Sequence, residues 1–282
     1  MTTVLERLRD DAPLIAVEMR PPRADLSAGD TIDAWLAMGS AVRRLSRDDT
    51  VFFFTDNATG TSEEENLHHL VCNLEQLERL RLCPFLTTKH SLEYCLWYAD
   101  RAARDGHTAL TVLGGDPHVG PPRCVPHADA LRRRIRERHP SLALGGWANP
   151  HRDAAGQVGY LLDTGAAADF FLTQVVSHHD LAPVERFVAE GRRRGLSIPG
   201  VFGVFYYRSA NTATLKLLER FLPVPAAEIA RDFGGRGLTA DEICARTVRT
   251  LRDLGVRHVY ISNLRPDDAS RRVAAIHALV RG

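Results

Sequence analysis

Glu18 is the residue of this sequence best placed to act as an acid. It stands near the end of an apolar run, Leu14–Arg20, and two prolines follow directly. Proline cannot donate a hydrogen bond to a neighbouring strand, so a strand formed by this run must end there. A carboxyl group among apolar neighbours is costly to ionise and should have a raised pKa, as a general acid at neutral pH requires. The alternative is a glutamate paired with Arg20 or Arg23.

Several further positions could contact a ligand. Asp116 follows two glycines, where backbone can approach a ligand closely, although an aspartate in such a turn also caps helices. Gln174 lies in an apolar run, so its amide needs partners, either on a neighbouring strand or on a ligand with donors and acceptors such as a pterin. Tyr206 and Tyr207 suit either stacking on a flat ring or packing in the core.

The sequence does not predict a metal site. His178 and His179 are adjacent, which points two rings in different directions in most backbones, so we interpret them as loop residues. The five cysteines are scattered without a CxxC pair, which indicates neither a zinc site nor a disulfide framework. We interpret them as buried free thiols of a protein in a reducing cytoplasm.

Predicted strands and helices alternate along the chain, and these elements position the residues named above. Amphipathic helical stretches separate eight apolar runs, which we predict to be strands: Leu14–Arg20, Val51–Thr55, Leu82–Thr87, Ala109–Leu113, Leu142–Trp147, Phe170–Val175, Pro199–Phe205 and His258–Ser262. The stretch after the second strand predicts one helix over Glu63–Leu80, capped by Thr61 or Ser62. Apolar strands separated by helices imply a parallel sheet covered by helices. Eight such units in 282 residues predict an α/β fold, a single (β/α)₈ TIM-barrel domain over residues 1–282.

Polar residues collect at the carboxyl ends of these strands, where barrel enzymes build their active sites. They are Glu18, Asp56, Asn57, Thr87, Lys89, Asp116, Trp147, Asn149, Gln174, Tyr206, Tyr207, Arg208, Asn263 and Arg265. The opposite ends carry ordinary turn residues, and this asymmetry indicates an enzyme. We assign cofactor binding to four members of this set, Asp56, Thr87, Trp147 and Asn149, and to Thr55, the last residue of the second strand.

Composition narrows the class of partner. The net charge of +1 provides no basic field for nucleic acid or for an anionic membrane. The N-terminal segment lacks the apolar core of a signal peptide, and no apolar run approaches the ~20 residues of a membrane span. We therefore expect a cytoplasmic protein with a small-molecule substrate. The oligomeric state is left open, a homo-oligomer included.

Taken together, the strand-end motifs resemble the methylenetetrahydrofolate reductase family along most of the chain. Each motif is short, but their order on consecutive strand ends is fairly specific. The matching segments are Val17-Glu18-Met19-Arg20-Pro21-Pro22, Gly115-Asp116, Leu172-Thr173-Gln174, Ile198-Pro199-Gly200-Val201 and Asn263-Leu264-Arg265.

The resemblance implies reduction of 5,10-methylenetetrahydrofolate to 5-methyltetrahydrofolate. Glu18 would be the acid that helps to open the five-membered ring to a 5-iminium cation. By the same resemblance Asp116 would lie near the pterin and the hydride donor, and Gln174 would bind the pterin. Tyr207 would pack on the folate or the nicotinamide nucleotide, and Arg265 would meet the anionic glutamate tail.

The chain departs from that family where the family binds FAD. Phe85 replaces a histidine, Gly114 an arginine and Trp147 a tyrosine, and the lysine of the helix after the fifth strand is missing. A pyrophosphate needs cationic or backbone donors, so these losses argue for direct hydride transfer from NAD(P)H without FAD. Two alternatives stay open. One is an ordinary flavoenzyme in which Arg152, Lys89 or His90 compensates, and the other is a folate-binding barrel that acts on another one-carbon adduct.

Overall fold

The computed structural model describes residues 2–56, 63, 65–115, 120–219 and 221–282. Its centre is a closed barrel of parallel strands that pair in chain order, with the last strand pairing back to the first. The strands are β1 (Leu14–Met19), β2 (Phe52–Phe54), β3 (Leu82–Thr87), β4 (Ala109–Leu113), β5 (Ala143–Ala148), β6 (Phe170–Val176), β7 (Gly200–Phe205) and β8 (His258–Ser262). The predicted (β/α)₈ barrel is confirmed.

Helices connect the strands and cover the outside of the barrel. They are α1 (Val4–Arg9), α2 (Ala28–Leu45), α3 (Asn66–Asn73), α4 (Gln76–Arg79), α5 (Leu92–Arg104), α6 (Ala128–Arg138), α7 (Ala154–Leu162), α8 (Ala182–Arg193), α9 (Thr212–Leu218), α10 (Ala226–Ala230), α11 (Ala240–Asp253) and α12 (Ala269–Arg281). A π-helical turn, Arg231–Gly235, continues α10. Within the described part of the chain, no helix has the length and apolar character needed to cross a bilayer.

The prediction of one helix over Glu63–Leu80 is wrong. Glu65 caps α3, because its Oε2 accepts a hydrogen bond of 2.7 Å from the backbone nitrogen of His68. Leu74 is extended and separates α3 from the short α4. Glu63 instead forms an isolated antiparallel bridge with Arg23 and is buried. The predicted caps at positions 61 and 62 lie outside the described residues.

One apolar cluster fills the barrel interior. It contains Val4, Leu8, Leu14, Ala16, Val51, Phe53, Cys83, Phe85, Ala109, Ala143, Phe170, Leu172, Val201 and Tyr260. Two of its members belong to α1, a helix that the sequence analysis did not predict, and this helix packs against the amino-terminal end of the barrel. Because side chains alternate along a strand, the inward face that carries Leu14 and Ala16 continues to Glu18 at the carboxyl end.

Gly203 of β7 gives room to the largest interior side chain. A Cβ atom at this position would lie 2.5 Å from the hydroxyl oxygen of Tyr260, which donates a 2.6 Å hydrogen bond to the carbonyl of Thr173. We expect Gly203→Ala to lower the free energy of unfolding by about 1–3 kcal/mol, since the buried ring cannot move aside. Urea denaturation measures this loss. Gly29→Ala, where the nearest atom is 3.9 Å away, is the matched control, and an equal effect of both changes would contradict the prediction.

Candidate active site

Glu18 lies at the carboxyl end of β1 and is only partly accessible. The hydroxyl of Ser262, at the end of β8, donates a hydrogen bond to its Oε1. Burial raises the pKa of Glu18 to about 7, although the Ser262 hydrogen bond and the charge of Arg20 oppose this rise. The negative charge of Glu63 raises the pKa further. The carboxyl group can therefore hold and release a proton near neutral pH, as general acid–base catalysis requires.

A partly buried ion pair lies beside this carboxyl group. Arg20 donates hydrogen bonds of 3.0 and 2.8 Å to Oε1 of Glu63, and the hydroxyl of Thr55 donates one of 3.1 Å to Oε2. The Glu63 side chain is 1% exposed, while that of Arg20 is 45% exposed. Arg20 thus pairs with Glu63 rather than Glu18, which leaves the Glu18 carboxyl group with a raised pKa. Thr55, assigned to the cofactor on sequence grounds, contacts this pair.

The two members of the ion pair should move the pKa of Glu18 in opposite directions. We expect Arg20→Met to raise it, because a nearby positive charge is removed, and Glu63→Gln to lower it, because a negative charge is removed. Titration of the Glu18 carboxyl carbon by NMR measures both shifts. Arg23→Met, which removes an exposed partner of Asp25, is the control. Shifts of the same sign for the two variants would contradict this account.

Asp56 joins the ends of β2 and β3. It accepts hydrogen bonds of 2.7 and 2.9 Å from the backbone nitrogen and hydroxyl of Thr87, and its carboxylate lies 2.9 Å from Nε2 of His90. Burial lowers the pKa of His90, but its hydrogen bond to Asp56 and the charge of that group outweigh this, so the pKa is raised. The structure therefore brings together Asp56 and Thr87, two residues assigned to the cofactor, with the imidazole of His90 beside them.

Trp147, Asn149 and Gln174 occupy the next part of the rim. Trp147 is partly buried and packs on the upper end of the interior cluster. Asn149 Oδ1 accepts a 3.0 Å hydrogen bond from the backbone of His151, so this side chain shapes the loop after β5. The side-chain oxygen of Gln174 accepts one of 2.9 Å from the backbone of Val175, at an irregularity in the β6–β7 pairing. This leaves its amide nitrogen as the group that can donate to a ligand.

Aromatic and cationic residues follow β7 and β8. Tyr207 is 7% exposed and packs with Leu215 and Ile229 in a small satellite cluster. Arg265 is exposed. The pKa of Arg208 is lowered, mainly by burial of Arg208 and secondly by the positive charge of Arg265. Two guanidinium groups therefore lie near each other at the rim, which suits an anionic group on a ligand. Asp116 lies outside the described residues.

The turn after β4 carries two cations that the sequence analysis did not place there. A Cβ atom at Gly114 would lie 3.1 Å from the guanidinium carbon of Arg123, which donates to the carbonyl of Gly115. The stem of Lys89 packs over Gly115, and its Nζ donates a 2.9 Å hydrogen bond to the carbonyl of Pro121. Each cation thus bonds to a backbone carbonyl, so a cofactor pyrophosphate would have to compete with these bonds. Phe85, at the position of the family's histidine, is 2% exposed inside the barrel.

His178 and His179 lie in the turn after β6, as expected of loop residues, but the expectation that their rings point in different directions is wrong. Their ring centroids are 3.9 Å apart, and both Nε2 atoms face the carboxylate of Asp232. Sequence reasoning missed this contact, as it missed the roles of Glu63 and Ser262. The inward direction of Ser262 could have been predicted, because side chains alternate along a strand and Ser262 shares the inward face of β8 with His258 and Tyr260. Glu63 and Asp232 approach their partners across loops, and no local pattern marks such residues.

Known structures share this fold. No protein-family model and no curated protein matches the chain. An uncharacterized protein from Clostridium thermocellum, whose structure binds two copies of 5-methyl-5,6,7,8-tetrahydrofolic acid, superposes with a TM-score of 0.69 at 14% identity over 99% of this chain and 98% of that chain.

Further similar structures include enzymes. A tryptophan synthase structure from M. tuberculosis gives a TM-score of 0.52 at 12% identity, over 100% of this chain and 98% of that chain. 2,3-Dimethylmalate lyase gives 0.51 at 13% identity, over 98% and 86%. At such identities the similarity shows the fold, and the chain is a (β/α)₈ barrel of the kind seen in these proteins.

Proposed function

We propose that this protein binds a reduced folate at the barrel mouth and reduces 5,10-methylenetetrahydrofolate to 5-methyltetrahydrofolate. The observation that carries the proposal is Glu18, a carboxyl group at the end of β1 whose pKa is raised to about 7. The barrel neighbour from Clostridium thermocellum that binds 5-methyl-5,6,7,8-tetrahydrofolic acid supports a folate as ligand. The motif resemblance to methylenetetrahydrofolate reductases supports the reaction.

Glu18 supplies the proton that the substrate needs. Transfer of its proton to N10 of methylenetetrahydrofolate breaks the bond between N10 and the methylene carbon, which leaves a 5-iminium cation. The Glu18 carboxylate formed in this step is negative and lies in a poorly solvated site, where it stabilises the cation. Ser262 holds the carboxyl group through its hydrogen bond and limits its orientation. Solvent returns the proton after turnover.

The hydride that completes the methyl group comes from NAD(P)H. Direct transfer is favoured over a bound FAD because Arg123 and Lys89 already bond to backbone carbonyls, and because Phe85 replaces the family's histidine. Trp147, Asn149, Thr55, Asp56 and Thr87 are the residues we assign to the nicotinamide nucleotide. The amide of Gln174 is assigned to the pterin, and Arg265 and Arg208 to its anionic tail.

An absorbance spectrum of the purified protein, followed by kinetics, tests the proposal. We expect a protein without flavin absorbance that oxidises NAD(P)H only when methylenetetrahydrofolate is present. Because both substrates must be bound together for direct transfer, initial rates should follow a sequential pattern. Ping-pong kinetics with a bound flavin would replace direct transfer by the flavoenzyme alternative. Binding of 5-methyltetrahydrofolate with no NAD(P)H oxidation would leave only a folate-binding barrel.

A further inference from the structure

A cluster of two histidines and one aspartate lies beyond the end of β6. Nε2 of His179 is 2.8 Å from Oδ2 of Asp232, and Nε2 of His178 is 3.5 Å from the same oxygen. The three ligand atoms lie within 4.8 Å of one another. In a tetrahedral zinc site with bonds of about 2.0–2.1 Å, neighbouring ligand atoms are about 3.3–3.4 Å apart. The separations of 2.8 and 3.5 Å lie on either side of this value.

The contacts of the second ring nitrogen of His178 favour one tautomer. Nδ1 of His178 lies 2.8 Å from the hydroxyl oxygen of Thr247 in α11, and that hydroxyl donates its own hydrogen to the carbonyl of Ile243 at 3.3 Å. With its hydrogen directed at Ile243, the Thr247 oxygen is the acceptor for Nδ1–H of His178, and we assign this tautomer to the ring. Neutral His178 then presents an unprotonated Nε2, which is the form that binds a metal ion.

Nε2 of His178 lacks a hydrogen-bond partner in the described part of the chain. It is buried, in a side chain that is 9% exposed. The group it faces is the carboxylate of Asp232, which is also an acceptor. Two acceptors face each other at 3.5 Å, an arrangement that is unfavourable unless a cation lies between them.

The remaining contacts orient the other two groups. Nδ1 of His179 lies 2.8 Å from the hydroxyl of Ser177, so each histidine has a hydroxyl partner on the nitrogen that faces away from Asp232. Such outer hydrogen bonds are typical of histidines that bind metal ions. Arg236 donates a 2.8 Å hydrogen bond to Oδ1 of Asp232, which leaves Oδ2 directed at the histidines.

We propose that His178, His179 and Asp232 bind a divalent first-row transition-metal ion through two imidazole nitrogens and one carboxylate oxygen. Imidazole ligands favour Zn²⁺ and similar ions, whereas Mg²⁺ and Ca²⁺ prefer oxygen ligands alone. The ion would join three parts of the chain: the loop after β6, the π-helical turn and, through Thr247, α11. The proposal is independent of folate chemistry at Glu18.

The experiment uses the full chain, free of any purification tag and stripped of metal by a chelator. Calorimetric titration with Zn²⁺ should show saturable binding at one site per chain. Mg²⁺ should give no saturable binding. X-ray absorption of the zinc-loaded protein should show nitrogen and oxygen neighbours, two of them imidazoles. A sulfur neighbour, from any of the five cysteines, would overturn the proposal.

The Zn²⁺ affinities of three variants distinguish this site from adventitious zinc binding elsewhere on the protein. We expect His178→Gln to weaken Zn²⁺ binding by more than about 100-fold and Thr247→Val, which removes only an outer hydrogen bond, by about 10–100-fold. His127→Gln, an exposed histidine before α6, is the matched control and should bind as the unchanged protein does. Equal affinity of His178→Gln and the unchanged protein, or the absence of saturable binding, would overturn the proposal.

Discussion

Glu18→Gln should reduce turnover by about 10²–10⁴-fold while 5-methyltetrahydrofolate still binds. Glutamine keeps the size of the side chain and can still accept the Ser262 hydrogen bond, but it cannot give up a proton to N10 of the substrate. The loss should therefore fall on kcat, and ligand affinity should change little. Steady-state NAD(P)H oxidation measures the first quantity, and fluorescence titration with 5-methyltetrahydrofolate measures the second.

The pH profile adds an independent readout for the same residue. Since the acid form of Glu18 is the active one, kcat/KM of the unchanged protein should fall as pH rises through about 7. The residual activity of Glu18→Gln should lack this decline. Glu185→Gln, on the exposed side of α8, is the control for loss of a glutamate as such. Near-normal turnover of Glu18→Gln would remove this residue from the mechanism.

The barrel and the position of Glu18 could be predicted because both depend on local patterns. Each apolar run has the length of a strand, and the prolines after Arg20 mark where the first strand stops. Once the strands are assigned, the geometry of a parallel barrel brings their carboxyl ends together without further information. The prediction of a raised pKa for Glu18 follows from its apolar neighbours in the sequence. In the structure, burial raises this pKa to about 7.

The contacts that tune the candidate site could not be predicted, because they join residues across loops. Glu63 meets Arg20 over a separation of 43 residues, and its acidic neighbours made it look like part of a helix start. Asp232 meets His179 over 53 residues. In both cases the carboxylate lies outside the α-helices and the strands of the barrel, where neither periodicity nor turn chemistry fixes the direction of the side chain. The hydrogen bond from Arg123 to the carbonyl of Gly115, in the turn after β4, could not be predicted either.

Removing the acid should also stabilise the protein in alkaline solution. Glu18 binds its proton more tightly in the folded protein than in the unfolded chain, where its pKa is near 4.5. Between that value and about 7 the folded state carries more protons, so the free energy of unfolding falls as pH rises through this window. A shift of this size corresponds to about 2–3 kcal/mol once partial solvent access is allowed for.

Because glutamine cannot ionise, Glu18→Gln should escape this loss. We expect the variant and the unchanged protein to have similar free energies of unfolding at about pH 5, and the variant to be more stable by about 2–3 kcal/mol at about pH 8. Urea denaturation at both pH values measures the difference, with Glu185→Gln as control. If Glu18→Gln were instead less stable at the higher pH, the ionised carboxylate would have to be favoured by its surroundings. Its pKa would then be lowered, and Glu18 could not act as the acid.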